Sequence, residues 1–256
     1  MTRDHWFEDL ADHLGPTYLR YSFTKGTEQE VGFLVDTLGL ERGMRVLDVG
    51  CGPGRHAHAL GRRGIAVHGI DISDRFVALA RRDAPAGVTF ARADARALGF
   101  NAEFDAAISL CQGAFGLQGG PAGGQGGAPR LGELTGDDVV LAGIARALRP
   151  GGLAAISAFS SYFQVQNLIE GTSFDAETGV AHERTTIKDA DGTDADTDLW
   201  TTCFTPRELR LLARAAGLQP VHVWSVEPGR YAARPPDLEH PEHLLVARRP
   251  PDPAPV

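Results

Sequence analysis

The sequence predicts an α/β fold: a mostly parallel sheet with helices on both faces, N-terminal helices and a small antiparallel β insert. Three observations point there. Arg45–Arg55 reads Arg-Val-Leu-Asp-Val-Gly-Cys-Gly-Pro-Gly-Arg, an apolar strand running into a turn with glycine at 50, 52 and 54. Strands and helices then alternate, the pattern of a sheet covered on both faces. The chain has 256 residues, 43% of them hydrophobic, enough for one large α/β domain or a domain with an insertion.

The elements follow in order. Residues 5 to 40 read as helices, with Val31, Leu34, Val35, Leu38 and Leu40 at roughly helical spacing. Thr27 to Glu30 has the form of a capping box at the start of that apolar run. Strands are predicted at Arg45–Val49, Ala66–Ile70, Val88–Ala91, Phe104–Leu110 and Leu153–Phe159, and helices after Gly54, after Ser73 and across Asp137–Leu148. Residues 117–136, rich in glycine, cannot bury a core and read as a flexible loop on the rim after the fourth strand. A lid and a neutral insertion both fit that composition. Phe174–Phe204 holds two extended runs around an Asp-Gly turn, a β-hairpin or small meander. Thr205-Pro206-Arg207-Glu208 starts a helix with an N-cap, a proline in the first position and a capping box, and Gly217 ends it. Val221–Ser225 and Leu244–Ala247 are closing strands, and 250–256 is a disordered tail. The organisation expected is an N-terminal helical lid over 1–40, a main domain from 41–160 and 205–249, and an insert over 161–204.

Composition narrows the partners. With 33 acidic and 25 basic side chains the net charge is −8, which argues against a broad nucleic-acid surface and leaves no polybasic segment for a membrane. Cys51, Cys111 and Cys203 are widely spaced and form neither a zinc pattern nor a disulfide framework, which fits a reducing compartment. The N-terminus has no apolar signal core, and no run reaches the roughly 18 apolar residues of a membrane span. A cytoplasmic protein is expected, monomer or homodimer, with no metal site.

The residues that carry chemistry start at the glycine turn. Glycine removes the Cβ and permits φ > 0, so a ligand can approach the backbone closely. Strand, glycine turn and helix hold a nucleotide-like ligand at the carboxyl end of a parallel strand. The spacing is Gly-x-Gly-x-Gly, not the Gly-x-Gly-x-x-Gly of the dinucleotide fingerprint. Asp71 ends the next strand, where a carboxylate can accept from both ribose hydroxyls and tells against a 2′-phosphate. Asp94 follows the third strand and either accepts from an adenine amine or caps a turn.

With these motifs the chain resembles a class I S-adenosylmethionine-dependent methyltransferase. The matching segments are Val46–Gly54, Gly69–Ser73, Ala93–Ala95, Phe104–Leu110 and the turn Leu148-Arg149-Pro150-Gly151-Gly152. The resemblance implies a Rossmann-like, mostly parallel seven-stranded sheet and S-adenosyl-L-methionine as cofactor. It also implies roles. Asp48 anchors the glycine turn and faces the methionine amine, directly or through water. Gly50, Gly52 and Gly54 bring backbone against the methionine and ribose. Asp71 binds the ribose and Ile72 packs on adenine. Asp94 and Ala95 contact adenine, and Leu110 and Cys111 lie beside the methionine and sulfonium. His56 reads as a packing residue at a helix start rather than a base.

A narrower resemblance, to small-molecule methyltransferases, rests on Tyr18-Leu19-Arg20-Tyr21, Phe115-Gly116 and the insert. In that group an N-terminal helix and an antiparallel insert roof the active site, so Tyr21 either touches cofactor or substrate or packs a helix. His182, Glu183, Arg184 and Trp200 lie on the insert, and alternation turns only some of them inward. The reaction implied is an in-line displacement by O, N or C of a small-molecule acceptor. A protein or RNA methyltransferase and an inactive cofactor-binding protein are the alternatives. Ser109-Leu110-Cys111-Gln112 lacks the Pro-Pro-Tyr run of nucleic-acid amino-methylation, and no residue declares itself as a catalytic base.

Overall fold

The computed structural model describes residues 5–117, 120 and 136–252. Most of the 117–136 loop and the end of the tail lie outside these residues. The chain starts with α1 (Phe7–Leu14), two short 3-10 turns and α2 (Thr27–Leu38), then alternates β1 (Arg45–Val49), α3 (Arg55–Arg62), β2 (Ala66–Asp71), α4 (Asp74–Arg82), β3 (Val88–Arg92) and β4 (Phe104–Ser109). It continues with α5 (Asp137–Ala147), β5 (Leu148–Ser160), α6 (Ser161–Gln166), β6 (Thr172–Asp175), β7 (Val180–Lys188), β8 (Asp194–Phe204), α7 (Pro206–Ala215), β9 (Gln219–Val226) and β10 (Glu242–Arg248).

Strands β3–β2–β1–β4–β5 are parallel neighbours, and β10 and β9 follow, β10 antiparallel to both β5 and β9. These seven strands are the sheet expected. The insert is a meander, β6–β7–β8, and it does not stand apart: β8 pairs parallel with the end of β5 at Phe159↔Cys203 and Ser160↔Phe204. The Leu148–Gly152 turn appears as a bulge. Phe104 pairs with Leu148 but Ala106 with Leu153, so Arg149–Gly152 loops out.

Alternation along the strands feeds two cores. Leu47, Val49, Ile70 and Ile156 turn toward Val140, Leu141 and Ile144 of α5 and Leu209 of α7. Val46, Val67 and Ile108 turn toward Val31 and Leu34 of α2, Leu60 of α3 and Val77 of α4. A third cluster joins Leu10 and Leu14 of α1 to Ile187 of β7 and Leu199 of β8, so the first helix and the meander are packed on each other above the carboxyl ends of the strands.

One cap differs from expectation. The N-cap of α2 is Gly26, and Thr27 already lies inside the helix. Glu30 does not reach back to the Thr27 amide because its carboxylate is fully buried against Arg55 Nη1 (2.5 Å), His56 Nε2 (2.7 Å) and the Gly229 N–H (2.8 Å). A guanidinium, an imidazole and a distant backbone amide outcompete the Thr27 amide. The predicted Thr205–Glu208 capping box and its proline form as expected.

Candidate active site

The glycine turn leaves β1 and is tied to β2 by two N–H donors, Gly50 and Cys51, that share the Ile70 carbonyl (2.8 and 2.9 Å). Gly50 has φ +73°, and a Cβ on it would lie 2.0 Å from the Gly113 carbonyl carbon. The turn after β1 and the turn after β4 therefore touch backbone to backbone, which only glycine permits. Asp71 completes the wall. Its Oδ2 accepts the Gly52 N–H and its Oδ1 the Ser73 N–H, both at 2.8 Å.

Beyond β4 the chain makes two consecutive left-handed non-glycine residues, Cys111 (φ +51°) and Gln112 (φ +49°). Such strain persists only when surroundings over-determine it. Here the Cys111 N–H donates to Ser157 Oγ (2.8 Å) and Arg55 Nη2 reaches Cys111 Sγ (2.8 Å). Phe115 is fully buried and stacked on Phe204 at 4.7 Å, and the Gly116 carbonyl accepts the Thr202 N–H. The rim is thus stitched to the meander.

These walls enclose a cavity of about 310 Å³. Its floor is Gly50, Gly52, Asp71, Cys111 and Gln112, and its roof is Trp6, Phe7, Tyr18, Tyr21 and Phe23 with Glu183, Thr185, Ile187, Leu199 and Thr201. A narrow cleft of about 30 Å³ continues from it between Ile72, Asp94, Ala95 and the side of His5 and Phe7. Of the candidate residues, Tyr21, Gly50, Gly52, Asp71, Ile72, Asp94, Ala95 and Cys111 line these two spaces. Asp48, Gly54 and Leu110 do not. Leu110 is in the core beneath, and Gly54 packs at the start of α3 under Phe90.

The register of the meander decides which insert residues face inward. Glu183, Thr185 and Ile187 of β7 share the cavity face with Leu199 and Thr201 of β8. His182 and Trp200 stack on each other at 5.1 Å, and His182 Nε2 lies 2.8 Å from Asp198. Neither lines the cavity, nor does Arg184.

Burial sets the electrostatics. Asp48, 2% exposed, has an oxygen, Oδ2, without a partner, and its pKa is pushed up to about 7 by desolvation, against the pull of Arg55. Asp71 is raised to about 6 by burial, partly offset by the Ser73 and Gly52 amides. Burial also works to raise Asp94, but Arg96 prevails and holds it below the usual carboxylate range. Arg96 binds both Asp94 oxygens and also donates its backbone N–H, so Asp94 caps its own turn. The Cys111 thiol is driven upward by burial and by Glu242, which disfavours the thiolate. Buried His56 is lowered by desolvation and serves Glu30.

Sequence reading passed over Trp6, Phe7, Leu10, Phe76, Ile187 and Leu199 as cavity residues. Their signal is ordinary apolar periodicity, indistinguishable from core. It also missed Glu242, whose only sign is a carboxylate beside the apolar run Leu244–Ala247; it is 3% exposed and raised to about 7 by burial. Among the described residues no group of three His, Cys, Asp or Glu side chains can hold a metal ion, and no helix is long and apolar enough to cross a membrane.

Comparison with known proteins follows the same outline. Residues 46–117 match a methyltransferase-domain family model. The chain superposes on the CcbJ methyltransferase from Streptomyces caelestis with a TM-score of 0.71, at 19% identity over 98% of each chain. CalS10 from Micromonospora echinaspora, an amino pentose methyltransferase solved with SAM bound, aligns at a TM-score of 0.57 and 23% identity, covering 90% of this chain and 92% of that one. The 1,6-didemethyltoxoflavin-N1-methyltransferase of Burkholderia thailandensis aligns at 0.56 and 20% identity, covering 94% and 86%. At these identities the likeness establishes the fold. A search of curated proteins returned no match.

Proposed function

We propose that the chain is a class I S-adenosylmethionine-dependent methyltransferase that methylates an O, N or C atom of a small molecule held beneath the roof of α1 and the meander. One observation carries the reading. The glycine turn and the acceptor walls bound a single roofed space of about 310 Å³, within the range of small-molecule pockets. Two structural neighbours named for small acceptors, an amino pentose and 1,6-didemethyltoxoflavin, support it.

The residues fit the cofactor. The backbone cradle at Gly50 would be filled by a Cβ, and buried Asp48 holds an orphaned oxygen suited to an ammonium. When bound, S-adenosylmethionine supplies a methyl group on a sulfonium, already a good electrophile. In this reading Asp48 serves the methionine amine, Gly50 and Gly52 give backbone contacts, and Gly54 lets α3 start close to them. Asp71 receives the ribose hydroxyls with lone pairs left over from Gly52 and Ser73. Ile72, Asp94 and Ala95 face the base, and the narrow cleft implies that His5 and Phe7 give way as it enters. Leu110 backs the wall, and Cys111 and Tyr21 border the reacting end. The strained Cys111–Gln112 turn, held by Ser157 and Arg55, fixes that end. Residues 1–40 and 161–204 act as the roof that orients the acceptor and excludes water; such positioning supplies up to roughly 7–11 kcal/mol of a barrier.

The test is incubation with methyl-labelled cofactor and separate metabolite, RNA and protein pools. Label should appear in the metabolite fraction. Label confined to RNA or protein would overturn the acceptor class, and cofactor binding with no transfer to any pool would overturn turnover.

A further inference from the structure

The roof of the cavity carries one charge that nothing answers. Among the described residues the lining has two carboxylates, Asp71 and Glu183, and no lysine, arginine or histidine. Asp71 is engaged by two backbone amides. Glu183, half-buried at the middle of β7, has no hydrogen-bond or ion-pair partner among the described residues. Other polar side chains of β7 behave differently. His182 pairs with Asp198, Thr186 with Asp196 and Lys188 with Asp194 across the β7–β8 ladder. On the inner face Glu183 stands opposite Leu199 and beside Thr185. Arg55, below the floor, is held by Glu30, Thr27 and Cys111.

The surrounding walls are aromatic. Tyr21 stacks on Phe23 at 5.8 Å, Tyr18 meets Phe23 edge-on at 5.4 Å, and Trp6 and Phe7 complete the side. Aromatic faces attract cations and repel anions. A carboxylate or phosphate on the ligand would meet Glu183 as a like charge with no basic side chain to receive it. A wholly neutral ligand would leave the carboxylate partly desolvated and unpaired.

Resting on the methyltransferase reading, we infer that the acceptor is an amine-bearing apolar or aromatic molecule and that Glu183 is the carboxylate that receives its ammonium group. The role is recognition: the ammonium anchors the acceptor, and the methylated atom need not be that nitrogen. An outer-face residue cannot take the part, because alternation on β7 turns His182 and Arg184 away from the cavity.

The experiment uses the full chain with S-adenosylhomocysteine and three matched probes: 3-phenylpropylamine, 3-phenylpropan-1-ol and 3-phenylpropionate. Titration calorimetry reads each dissociation constant in the wild type, in Glu183→Gln and in the outer-face control Asp198→Asn. The amine should bind roughly ten- to a hundredfold tighter than the alcohol, the range of a hydrogen bond to a charged group, and the propionate weakest. Glu183→Gln should erase that advantage and leave S-adenosylhomocysteine binding unchanged, and Asp198→Asn should keep both. Equal binding of amine and alcohol, no amine binding at millimolar concentration, or an advantage that survives Glu183→Gln would each overturn the inference. Binding of S-adenosylhomocysteine, measured on the same samples, separates the two levels. Its failure would overturn the methyltransferase reading as well, whereas its success without an amine preference overturns only the role of Glu183.

Discussion

Asp48→Asn should make the ligand-free protein more stable near pH 8 while weakening its hold on the cofactor. The side chain is 2% exposed, and one oxygen has no partner. Burial pushes its pKa from 3.8 to about 7. In the unfolded chain the proton leaves near 3.8; in the folded protein it stays until about 7. The folded state therefore binds the extra proton between those values. The stability this proton contributes is fully present below pH 3.8 and is lost as pH rises through 7. The slope approaches about 1.4 kcal/mol per pH unit for one proton, so the fall from pH 5 to 7 is roughly 3 kcal/mol at its upper end. Asparagine keeps the shape and carries no charge. Urea denaturation at pH 5 and pH 8, without ligand, should show a difference between the two pH values smaller by about 2–3 kcal/mol in the variant than in the wild type. Glu242, raised to about 7, and Asp71, raised to about 6, keep a residual slope of the same sign. In calorimetry the variant should bind S-adenosylmethionine about 1.5–3 kcal/mol more weakly, the worth of a hydrogen bond to a charged group. An unchanged pH dependence would refute the argument that Asp48 is held protonated by burial, and an unchanged affinity would refute its place at the methionine amine.

Three further outcomes follow from single contacts. Asp71→Ala removes the acceptor of two backbone amides as well as the ribose partner; cofactor affinity should fall by about 1.5–3 kcal/mol, and an unchanged dissociation constant in a folded variant would remove Asp71 from the ribose. Gly50→Ala sets a Cβ 2.0 Å from the Gly113 carbonyl carbon at φ +73°, so it should cost about 2–4 kcal/mol in chemical denaturation; a loss below 1 kcal/mol would mean the two turns separate freely. Glu30→Ala strands buried Arg55 and His56 without their carboxylate and should cost about 3–5 kcal/mol, read by the same method, with a near-neutral result showing that the cluster does not hold α2 to α3.

Much of the fold was legible because it is written locally. The strand run at Val46–Val49, the glycines at 50–54, Asp71 at a strand end and the Thr205–Glu208 cap each depend on residues within a few positions. The Thr27–Glu30 cap failed for the opposite reason: the partners that claim Glu30 lie at Arg55, His56 and Gly229. Asp94 shows a milder case, since both an adenine contact and a turn cap suit an Asp at that place, and Arg96 two residues on supplies the cap.

The sequence alone determined the floor of the site. Close backbone approach, a carboxylate at the end of β2 and a mostly parallel sheet follow from glycine stereochemistry, residue type and the alternation of elements, all short-range in the chain. The roof was decided by tertiary structure. Glu183 and Trp200 differ by no local signal, and a one-residue slip of β7 against β8 would exchange inner and outer faces. That register is set where β8 joins β5, at Phe159↔Cys203 and Ser160↔Phe204, and where Leu10 and Leu14 of α1 pack on Ile187, contacts between segments far apart in the chain. The identity of the ligand-facing residues depends on those distant contacts, because a period-2 strand states that one face is inward and leaves the choice of face to whatever packs against it.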